Sequence, residues 1–517
     1  MSKFTPLRCG ITIVYFTSPE SNNLIYIMSR GKNVNRVAVI GAGVSGVVTA
    51  KWLKSEGIEV VVYERAGKVG GNWLYNPLSA PEPPYPLESP TPPPFEIKKL
   101  LKSQNGEEQK ASEIELLFAP PGPAYENLKN NIPTSMQELK GHPWPEGTGD
   151  WVTSVEKQKY IESYSKKFDV ETLIRFHTSV ENVVKGEDKW IVESMSLTRR
   201  AEGEWEVISN VDKFDAVVVA SGHYHAIRVP DIPGLKEWKS LWPDRVQHSK
   251  GYRRPVGFDG QNVLLIGAGV SAMDIGREIA PSAKKIYQST RGGECDLPIT
   301  YLDPSIERVS EVSSFAIPRL DSSEFPPSGT VTLKDGRKLE NIDRVILCTG
   351  YHQSRPFLPQ FQNHNIPVEK ADDKVLVTDG TQMHNLHKYI FYIPDPTLAF
   401  VGIPYYTATF VFFEYLAIAV AGVFSGKVDL PTESEMREEY EKRVLQKGYG
   451  RNFHSMKQDE VQYIDELVDW INRDIVERGG ARVEHLSEKW LSSRIERVRL
   501  FKEVAEGILP VEALRCF

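Results

Sequence analysis

Two nearly identical glycine-rich segments limit the folds available to this chain of 517 residues. The first reads VAVIGAGVSGVVTA at 37–50, and the second reads NVLLIGAGVSAMDIGREI at 262–279. Each follows a short apolar run and precedes a helical pattern, which is the strand–turn–helix order of a dinucleotide-binding unit. A glycine-rich turn alone is a weak signal, but here its neighbours agree with it. The sequence therefore predicts an α/β fold with two Rossmann-like dinucleotide-binding domains.

The first loop has a small residue at each position where a dinucleotide requires one. Gly41 makes the tight turn, Gly43 leaves room for a pyrophosphate, and Gly46 lets the helix pack closely on the strand. The free N–H groups at the start of that helix attract phosphate. The next apolar strand ends in Glu64, whose carboxylate can accept both ribose hydroxyls of an adenosine. We expect this unit to bind its cofactor through Gly41, Gly43, Val44, Ser45, Gly46 and Glu64.

The second loop differs from the first in the residues that follow its second strand. Gly267 and Gly269 repeat the turn, and Ala272 replaces the third glycine without preventing close packing. Where the first unit has Glu64, this one has Ser289, Thr290 and Arg291. A carboxylate would repel a 2′-phosphate, whereas hydroxyls and a guanidinium can bind it. The first loop therefore suits FAD and the second suits NADPH, although Arg291 alone could also be a solvated surface residue.

Charge and cysteine content narrow the class of protein further. The net charge of −7 argues against a nucleic-acid partner, which usually needs a basic face. The four cysteines lie far apart, without a C-x-x-C pair, so we expect neither a disulfide framework, a metal site nor a dithiol redox centre. A disulfide reductase would need such a pair beside the flavin. Oxygen is therefore the expected acceptor of the reducing equivalents.

Patterning along the chain predicts how the domains are arranged. Residues 1–33 form an extension expected to be disordered, and 34–225 form the first part of the FAD domain. Within it, 76–124 is a proline-rich insertion, which we interpret as a surface loop. The NADPH domain spans 226–342 and is inserted into the FAD domain, whose second part and helical tail span 343–517.

One apolar run, YYTATFVFFEYLAIAVAGVF at 405–424, has the length of a membrane span. Glu414 lies at its centre, where a carboxylate is costly in lipid. We therefore predict a buried core helix with a functional or paired acid. The expected protein is cytoplasmic, with no signal peptide and no membrane anchor.

Several further motifs, in order, resemble the flavin-containing monooxygenase family over nearly the whole chain from about residue 34. They are GGNW at 70–73, YENLKNNIPTSM at 125–136, WPDRVQHSKGY at 242–252, and LCTGY at 347–351. The match departs from the family pattern at Trp242, which replaces Phe, at Asp244, which replaces a turn glycine, and at Cys348, which replaces Ala. The segment YGRNFHSM looks more like fungal members than mammalian ones.

This resemblance implies an NADPH- and O2-dependent flavoprotein that oxygenates a soft nucleophile through a C4a-hydroperoxyflavin. The expected substrate is a small-molecule amine, thiol or sulfide. The family pattern assigns the side chain nearest the reacting flavin edge to Asn131, with Asn130 beside it. It also implies that Glu64, Asn72 and Trp73 hold FAD. The nucleotide of NADPH would be lined by Ser271, Ala272, Met273 and Asp274.

Three alternatives remain open from the sequence. A Baeyer–Villiger monooxygenase has a related fingerprint, but Tyr252 followed by Arg253 favours nitrogen or sulfur oxygenation. An NADPH oxidase or flavoprotein electron donor without an organic substrate is compatible with the departures at Asp244 and Cys348. A non-catalytic nucleotide sensor is poorly supported by two intact loops. The sequence also leaves a homo-oligomer open.

Overall fold

The computed structural model describes residues 34–79, 81–90, 109–199, 205–293, 296–317 and 329–514. The predicted N-terminal extension, 1–33, lies outside these ranges. Within them the fold has the expected α/β class, with two Rossmann-like units at the predicted positions.

The described residues form eighteen strands, which we number in chain order: β1 (Arg36–Ile40), β2 (Glu59–Tyr63), β3 (Ile174–Arg175), β4 (Thr178–Lys185), β5 (Trp190–Arg199), β6 (Trp205–Phe214), β7 (Ala216–Val219), β8 (Val246–His248), β9 (Asn262–Ile266), β10 (Lys285–Ser289), β11 (Ile306–Val309), β12 (Val312–Phe315), β13 (Val331–Leu333), β14 (Lys338–Leu339), β15 (Arg344–Leu347), β16 (Leu386–His387), β17 (Phe391–Tyr392) and β18 (Leu398–Phe400).

Nine α-helices lie in the same described ranges: α1 (Val44–Ser55), α2 (Gln109–Phe118), α3 (Ser154–Lys167), α4 (Leu235–Leu241), α5 (Val270–Ile279), α6 (Thr409–Phe424), α7 (Glu433–Lys447), α8 (Glu460–Glu477) and α9 (Glu488–Ala505). Two of them begin with a capping box, in which Thr153 starts α3 and Thr432 starts α7. In each, the threonine hydroxyl and a glutamate three residues later satisfy backbone N–H groups that the helix leaves unpaired.

The first sheet has the strand order β16-β17-β18-β7-β1-β2-β3. Its centre is parallel, because β1 pairs in parallel with both β2 and β7. Side chains of a strand alternate between faces, so Val37 and Val39 join the core beneath α1 and α6, while Ala38 and Ile40 join the core on the other face. Both faces are covered, as the near-continuous apolar run of β1 requires.

The second sheet is parallel throughout and has the order β11-β10-β9-β15-β8. The chain enters this domain after β7 and returns to the first sheet only at β16, so the second domain is inserted into the first, as predicted. The expected boundary at 342 is displaced by one strand. β15 pairs with β9 and β8, with Arg344 opposite Val263, and therefore belongs to the inserted domain.

The proline-rich insertion is more than the surface loop expected from its sequence. It contains α2, whose Ile114 and Phe118 pack on Leu197. Upstream, Leu87 exchanges two backbone hydrogen bonds with Val229, of 3.0 and 2.9 Å, and is buried in the core of the inserted domain. The insertion thus contributes apolar side chains to two cores, because leucine, isoleucine and phenylalanine lie between its prolines.

The apolar run that resembled a membrane span is the buried helix α6. Glu414 accepts hydrogen bonds from the Trp52 ring N–H (3.0 Å), the Lys140 main-chain N–H (2.8 Å) and the Tyr164 hydroxyl (3.4 Å). These bonds oppose the burial that raises the pKa of this carboxyl group. Across the described part of the chain, no helix combines the length and the apolar character needed to cross a membrane.

Candidate active site

Both glycine-rich loops line one continuous cavity of about 2770 Å³. Pockets for single small molecules usually measure about 300–1,000 Å³, so this cavity has room for more than one dinucleotide. Its wall is formed by loops of the FAD domain, of the inserted domain and of the proline-rich insertion, and by residues of helix α9. The residues that sequence analysis placed in two separate units therefore meet in one site.

The first loop forms a cradle that only glycine can build. A Cβ on Gly46 would lie 1.8 Å from the carbonyl oxygen of Gly41, so the helix can approach the turn only without a side chain. Gly43 faces Gly71, and a Cβ added to Gly43 would meet the Gly71 Cα at 3.5 Å. No side chain caps α1, which leaves its first N–H groups directed at this cradle. A pyrophosphate fits such a site.

Glu64 lies in the cavity wall at the end of β2. Its two carboxylate oxygens accept hydrogen bonds from the N–H groups of Ala42 (2.7 Å) and Ala66 (2.8 Å). Burial raises the pKa of this carboxyl group, and the two N–H groups act in the opposite direction. Each oxygen keeps a further lone pair, so Glu64 can hold the loop and accept ribose hydroxyls at the same time.

Trp73 and Asn72 also line the cavity, in a short turn after Gly70. The Trp73 ring packs edge to face on Phe410, with 6.4 Å between ring centroids. Lys157, which sequence analysis did not single out, is fully buried, with its Nζ 4.5 Å from the Trp73 ring centroid and 3.7 Å from that of Phe410. Its ammonium group also donates to Oε1 of Gln137. Burial lowers the pKa of Lys157 well below its usual value.

Asn131 and Asn130, which sequence analysis assigned to the site together, have different environments. Asn131 is exposed and lines the cavity. Its main-chain carbonyl oxygen accepts a hydrogen bond from Nε of Arg497 at 3.2 Å. Asn130 is buried outside the lining. Its amide donates to the carbonyls of Ile132 (2.6 Å) and Asp150 (2.8 Å), and its Oδ1 accepts from a backbone N–H at 2.6 Å. Asn130 therefore fixes the shape of this loop from the core side.

The second loop repeats the turn of the first. Gly267 has φ +116°, and a Cβ there would lie 2.4 Å from the carbonyl oxygen of Cys348. Ser271 and Asp274 line the cavity from α5. Ala272 and Met273, which we expected to line the nucleotide as well, are instead buried in the core under the sheet. They lie on the opposite face of the helix, since residues three and four apart share a face.

Asp274 and Cys348 have altered acidities in this region. Burial, and then the negative charge of Glu278, raises the pKa of Asp274 to about 7. Burial raises the pKa of the Cys348 thiol to about 12. A thiol with such a pKa stays protonated at neutral pH, so it packs against the loop as a small apolar residue and lacks thiolate reactivity.

Two of the three predicted phosphate ligands at the end of β10 already donate to other groups of the protein, and the third is exposed in the cavity wall. The Ser289 hydroxyl donates to the carbonyl of Ser310 (3.0 Å), and that of Thr290 donates to Asp296. Arg291 is exposed and lines the cavity. Arg228, which sequence analysis missed, also lines it, and burial followed by the positive charges of Arg451 and Arg291 lowers its pKa.

His248, at the end of β8, links the inserted domain to the proline-rich insertion beside the cavity. Its main-chain N–H donates to Glu82 of the insertion (2.6 Å), and its ring Nε2 is 3.1 Å from the carbonyl oxygen of Gly350. Burial lowers the pKa of His248 to about 3, so the ring is neutral. The turn before it tolerates Asp244 in place of the family glycine, since Asp244 is not among the residues with positive φ.

Comparisons with known proteins agree with this geometry. A family described as flavin-binding monooxygenase-like matches residues 122–298 and 323–475, and an NAD(P)-binding Rossmann-like domain matches 39–91. Flavin-containing monooxygenase ustF2 of Aspergillus flavus is 41% identical over 484 residues, which is 89% of this chain and 96% of that protein. Flavin-containing monooxygenase iboF of Amanita muscaria is 30% identical over 487 residues, covering 87% and 90%. The solved structure of S-allyl-L-cysteine S-oxygenase from Allium sativum has a TM-score of 0.64 and 27% identity, covering 91% and 92%.

Proposed function

Because the chain belongs to the flavin-binding monooxygenase-like family, whose cofactors are FAD and NADPH, we propose that it inserts one oxygen atom of O2 into a soft nitrogen or sulfur centre of a small molecule. The observation that carries the proposal is the asymmetry of the two loops in one cavity. Glu64 follows the second strand of the first unit, and Arg291 follows the corresponding strand of the second unit; both line the cavity. FAD and NADPH thus have separate sites that face the same space.

In this proposal the first loop binds the FAD pyrophosphate. The N–H groups at the start of α1 donate to the phosphates, and the space between Gly43 and Gly71 accommodates them. Glu64 accepts the ribose hydroxyls while its bonds to Ala42 and Ala66 keep it in place. Asn72 and Trp73 contact the flavin, and Trp73 is held in position by Phe410.

The second loop binds the NADPH pyrophosphate at the start of α5, next to Ser271 and Asp274. Arg291 donates to the 2′-phosphate, and Arg228 adds a second positive charge nearby. The bound cofactors supply the hydride and the activation of oxygen. The protein's own part is to hold both nucleotides and to keep water away from the reacting atoms.

Asn131 is the residue we propose to act at the reacting centre, where its amide keeps the flavin edge and the nicotinamide in register. Support comes from its place in the cavity wall and from the hydrogen bond that fixes its carbonyl to Arg497. With the main chain held in this way, the side chain can remain directed into the cavity. Its partner Asn130 fixes the same loop from the core side.

The centre that receives oxygen is a sulfide, thiol or amine in this proposal. The S-oxygenase from Allium sativum is the similar solved structure that supports sulfur. Cyclohexanone monooxygenase shares the fold, with a TM-score of 0.52, but at 13% identity this likeness concerns the fold alone. We therefore place ketone oxidation behind nitrogen and sulfur oxygenation.

The test is a product analysis with isotope-labelled O2. Purified protein with FAD and NADPH is incubated separately with a thioether, a tertiary amine and a cyclic ketone. We expect the labelled oxygen in a sulfoxide or N-oxide, with NADPH consumed in proportion. Peroxide released in the same amount whichever substrate is added would instead indicate an NADPH oxidase, and a labelled lactone would indicate a Baeyer–Villiger enzyme.

A further inference from the structure

A carboxyl group is buried in the cavity wall at the start of helix α8. Glu460 is the first residue of this helix and lines the cavity, and its side chain is 7% exposed. Burying a carboxylate is costly unless it is paired, and an amide of the same shape would cost less. The acid at this position is therefore better explained by chemistry than by packing.

The two carboxyl oxygens of Glu460 have different surroundings. Oε1 accepts a hydrogen bond from the main-chain N–H of Ala408. Oε2 lies 3.8 Å from Nε of Arg494, which is an ion-pair contact but longer than a hydrogen bond. Within the part of the chain that the structure describes, no hydrogen-bond donor reaches Oε2. One oxygen is therefore fixed by the protein, and the other can accept a proton from a molecule in the cavity.

The hydrogen bond to Ala408 places Glu460 on the side of the cavity that we assign to the flavin. Ala408 directly precedes α6, and the first residue of that helix, Thr409, lines the same cavity. The next residue, Phe410, packs on Trp73, which we propose to contact the flavin. A molecule in contact with Glu460 is thus held near the end of the cofactor at which oxygen is transferred.

The charged groups around Glu460 are cations. Arg494 and Arg497 of α9 act to lower the pKa of Glu460, and Lys457, three residues before it, also lines the cavity. The start of α6, TATFVF at 407–412, has no ionisable side chain. Burial has the larger influence and raises the pKa of Glu460 to about 7. The same cations disfavour a further positive charge, so an amine in this space is favoured in its neutral form.

We propose that Glu460 is a catalytic base, which takes the proton from the ammonium group of a basic amine substrate. In an ammonium ion the nitrogen lone pair is occupied by the proton, so the nitrogen cannot attack oxygen. The N–H bond breaks, its electron pair stays on nitrogen, and an O–H bond forms on Oε2 of Glu460. The nitrogen then uses this pair to form the N–O bond, and Glu460 releases its proton to water after the product has left.

This inference rests on the proposed oxygenation and adds a proton acceptor to it. A thioether needs no such group, because its sulfur lone pairs are free at every pH. An amine that is already neutral in solution does not need it either. The role of Glu460 is therefore visible as a difference between substrates that carry a proton and substrates that do not. A purely structural role would affect both kinds of substrate equally.

The test supplies two tertiary amines together to the enzyme with FAD, NADPH and O2. N,N-dimethylbenzylamine is protonated at neutral pH, whereas N,N-dimethylaniline is neutral. The ratio of the two N-oxides equals the ratio of the kcat/KM values, so every step that the two substrates share cancels. Glu460→Gln keeps the shape and an acceptor for Ala408, and Glu460→Asp keeps a carboxyl group. Glu466→Gln is the control, because Glu466 is exposed on the same helix and does not line the cavity.

In the unaltered protein the ratio of benzylamine to aniline product should stay nearly constant between about pH 7 and 9, because both the ionised Glu460 and the ammonium ion persist there. In Glu460→Gln the ratio at about pH 7 should be roughly a hundredfold lower. It should then rise about tenfold for each pH unit, since only solution supplies the neutral amine. Glu460→Asp should lie between these two, and Glu466→Gln should match the unaltered protein.

Two results would overturn the proposal. A ratio that already rises about tenfold for each pH unit in the unaltered protein excludes a base without the use of any variant. An unchanged ratio in Glu460→Gln, whether or not both products decrease together, assigns Glu460 a structural role.

A binding measurement separates the base from the oxygenation itself. Calorimetry of N,N-dimethylbenzylamine with the oxidised protein, FAD and NADP⁺, at about pH 8 in two buffers of different ionisation enthalpy, gives the number of protons released on binding. We expect none from the unaltered protein, since Glu460 keeps the proton, and about one from Glu460→Gln. Equal numbers overturn the base. If the numbers differ but no substrate receives oxygen, the proposed reaction fails while the proton acceptor stands.

Discussion

Replacing Arg291 with alanine should affect the binding of NADPH but not that of NADH. NADPH and NADH differ only in the 2′-phosphate, and Arg291 is the exposed guanidinium in the cavity wall after β10. The hydroxyls of Ser289 and Thr290 already donate to Ser310 and Asp296, so they cannot compensate by donating to the phosphate as well. The variant should thus lose affinity for NADPH and keep its affinity for NADH.

The size of the effect follows from the exposure of Arg291. A hydrogen bond to a charged group contributes about 1.5–3 kcal/mol, and solvent screening places an exposed arginine at the lower end. A loss of about 1.5–2 kcal/mol corresponds to a fall of roughly 10- to 30-fold in kcat/KM for NADPH. Arg228 and Lys334 still line the cavity in the variant, so binding of NADPH should not disappear.

The assay is initial-rate oxidation of each nucleotide, followed by the loss of nicotinamide absorbance over a range of nucleotide concentrations and at two salt concentrations. Higher salt should narrow the difference between unaltered protein and variant. Arg254→Ala is the matched control, because Arg254 is exposed in the same domain but does not line the cavity. Equal losses for NADPH and NADH would refute the assignment of Arg291 to the 2′-phosphate.

Three further predictions concern the loops and α5. Asn131→Ser should retain FAD but release peroxide in place of oxygenated product; unchanged coupling between NADPH use and product would remove Asn131 from its role. Gly43→Ala should fold but not hold flavin, because its Cβ makes only an ordinary 3.5 Å contact and yet fills the cradle. Gly46→Ala should fail to fold, since its Cβ would lie 1.8 Å from a carbonyl oxygen. Circular dichroism reports folding and flavin absorbance reports cofactor binding, and the same result for both variants would contradict this account. Asp274→Asn should flatten the pH dependence of thermal unfolding: with the pKa of Asp274 raised from 3.8 to about 7, the folded state keeps a proton that the unfolded state loses, so this group lowers stability as pH rises between these values. Between pH 3.8 and about pH 7 the free energy of unfolding of the unaltered protein should fall by about 1–3 kcal/mol more than that of the variant, after allowance for the partial exposure of Asp274. Parallel plots of stability against pH for the two proteins would exclude this effect.

Local sequence patterns were sufficient to predict the two glycine-rich units. The strand–turn–helix order around Gly41 and Gly267 predicted β1, α1, β9 and α5 because these turns require the same small residues in any such unit. The hairpin of β13 and β14 has Asp-Gly at its tip, which is a local signal for such a turn. These features depend on neighbours in the chain, so a single sequence contains the information.

Errors arose where a side chain's direction or a strand's partner decides the outcome. Helical spacing separates Ser271 and Asp274 from Ala272 and Met273, so that error was avoidable. The same spacing places Lys157 on the apolar face of α3, where it could have been noticed.

Other features depend on contacts between distant segments. The apolar run of β15 would suit either parallel sheet, and only its pairing with β8 and β9 assigns it. The contact of Arg497 with Asn131 joins residues 366 positions apart, and no local sequence pattern predicts it.

The insertion of one domain into the other also has a consequence for synthesis on the ribosome. β7 leaves the exit tunnel about 180 residues before its partner β18. At roughly 5–20 residues per second, the edge of β7 that pairs with β18 stays unpaired for about 10–40 seconds while the inserted domain is made. An unpaired strand edge attracts other chains during such an interval. The time taken to make the inserted domain thus bears directly on how much folded protein is obtained.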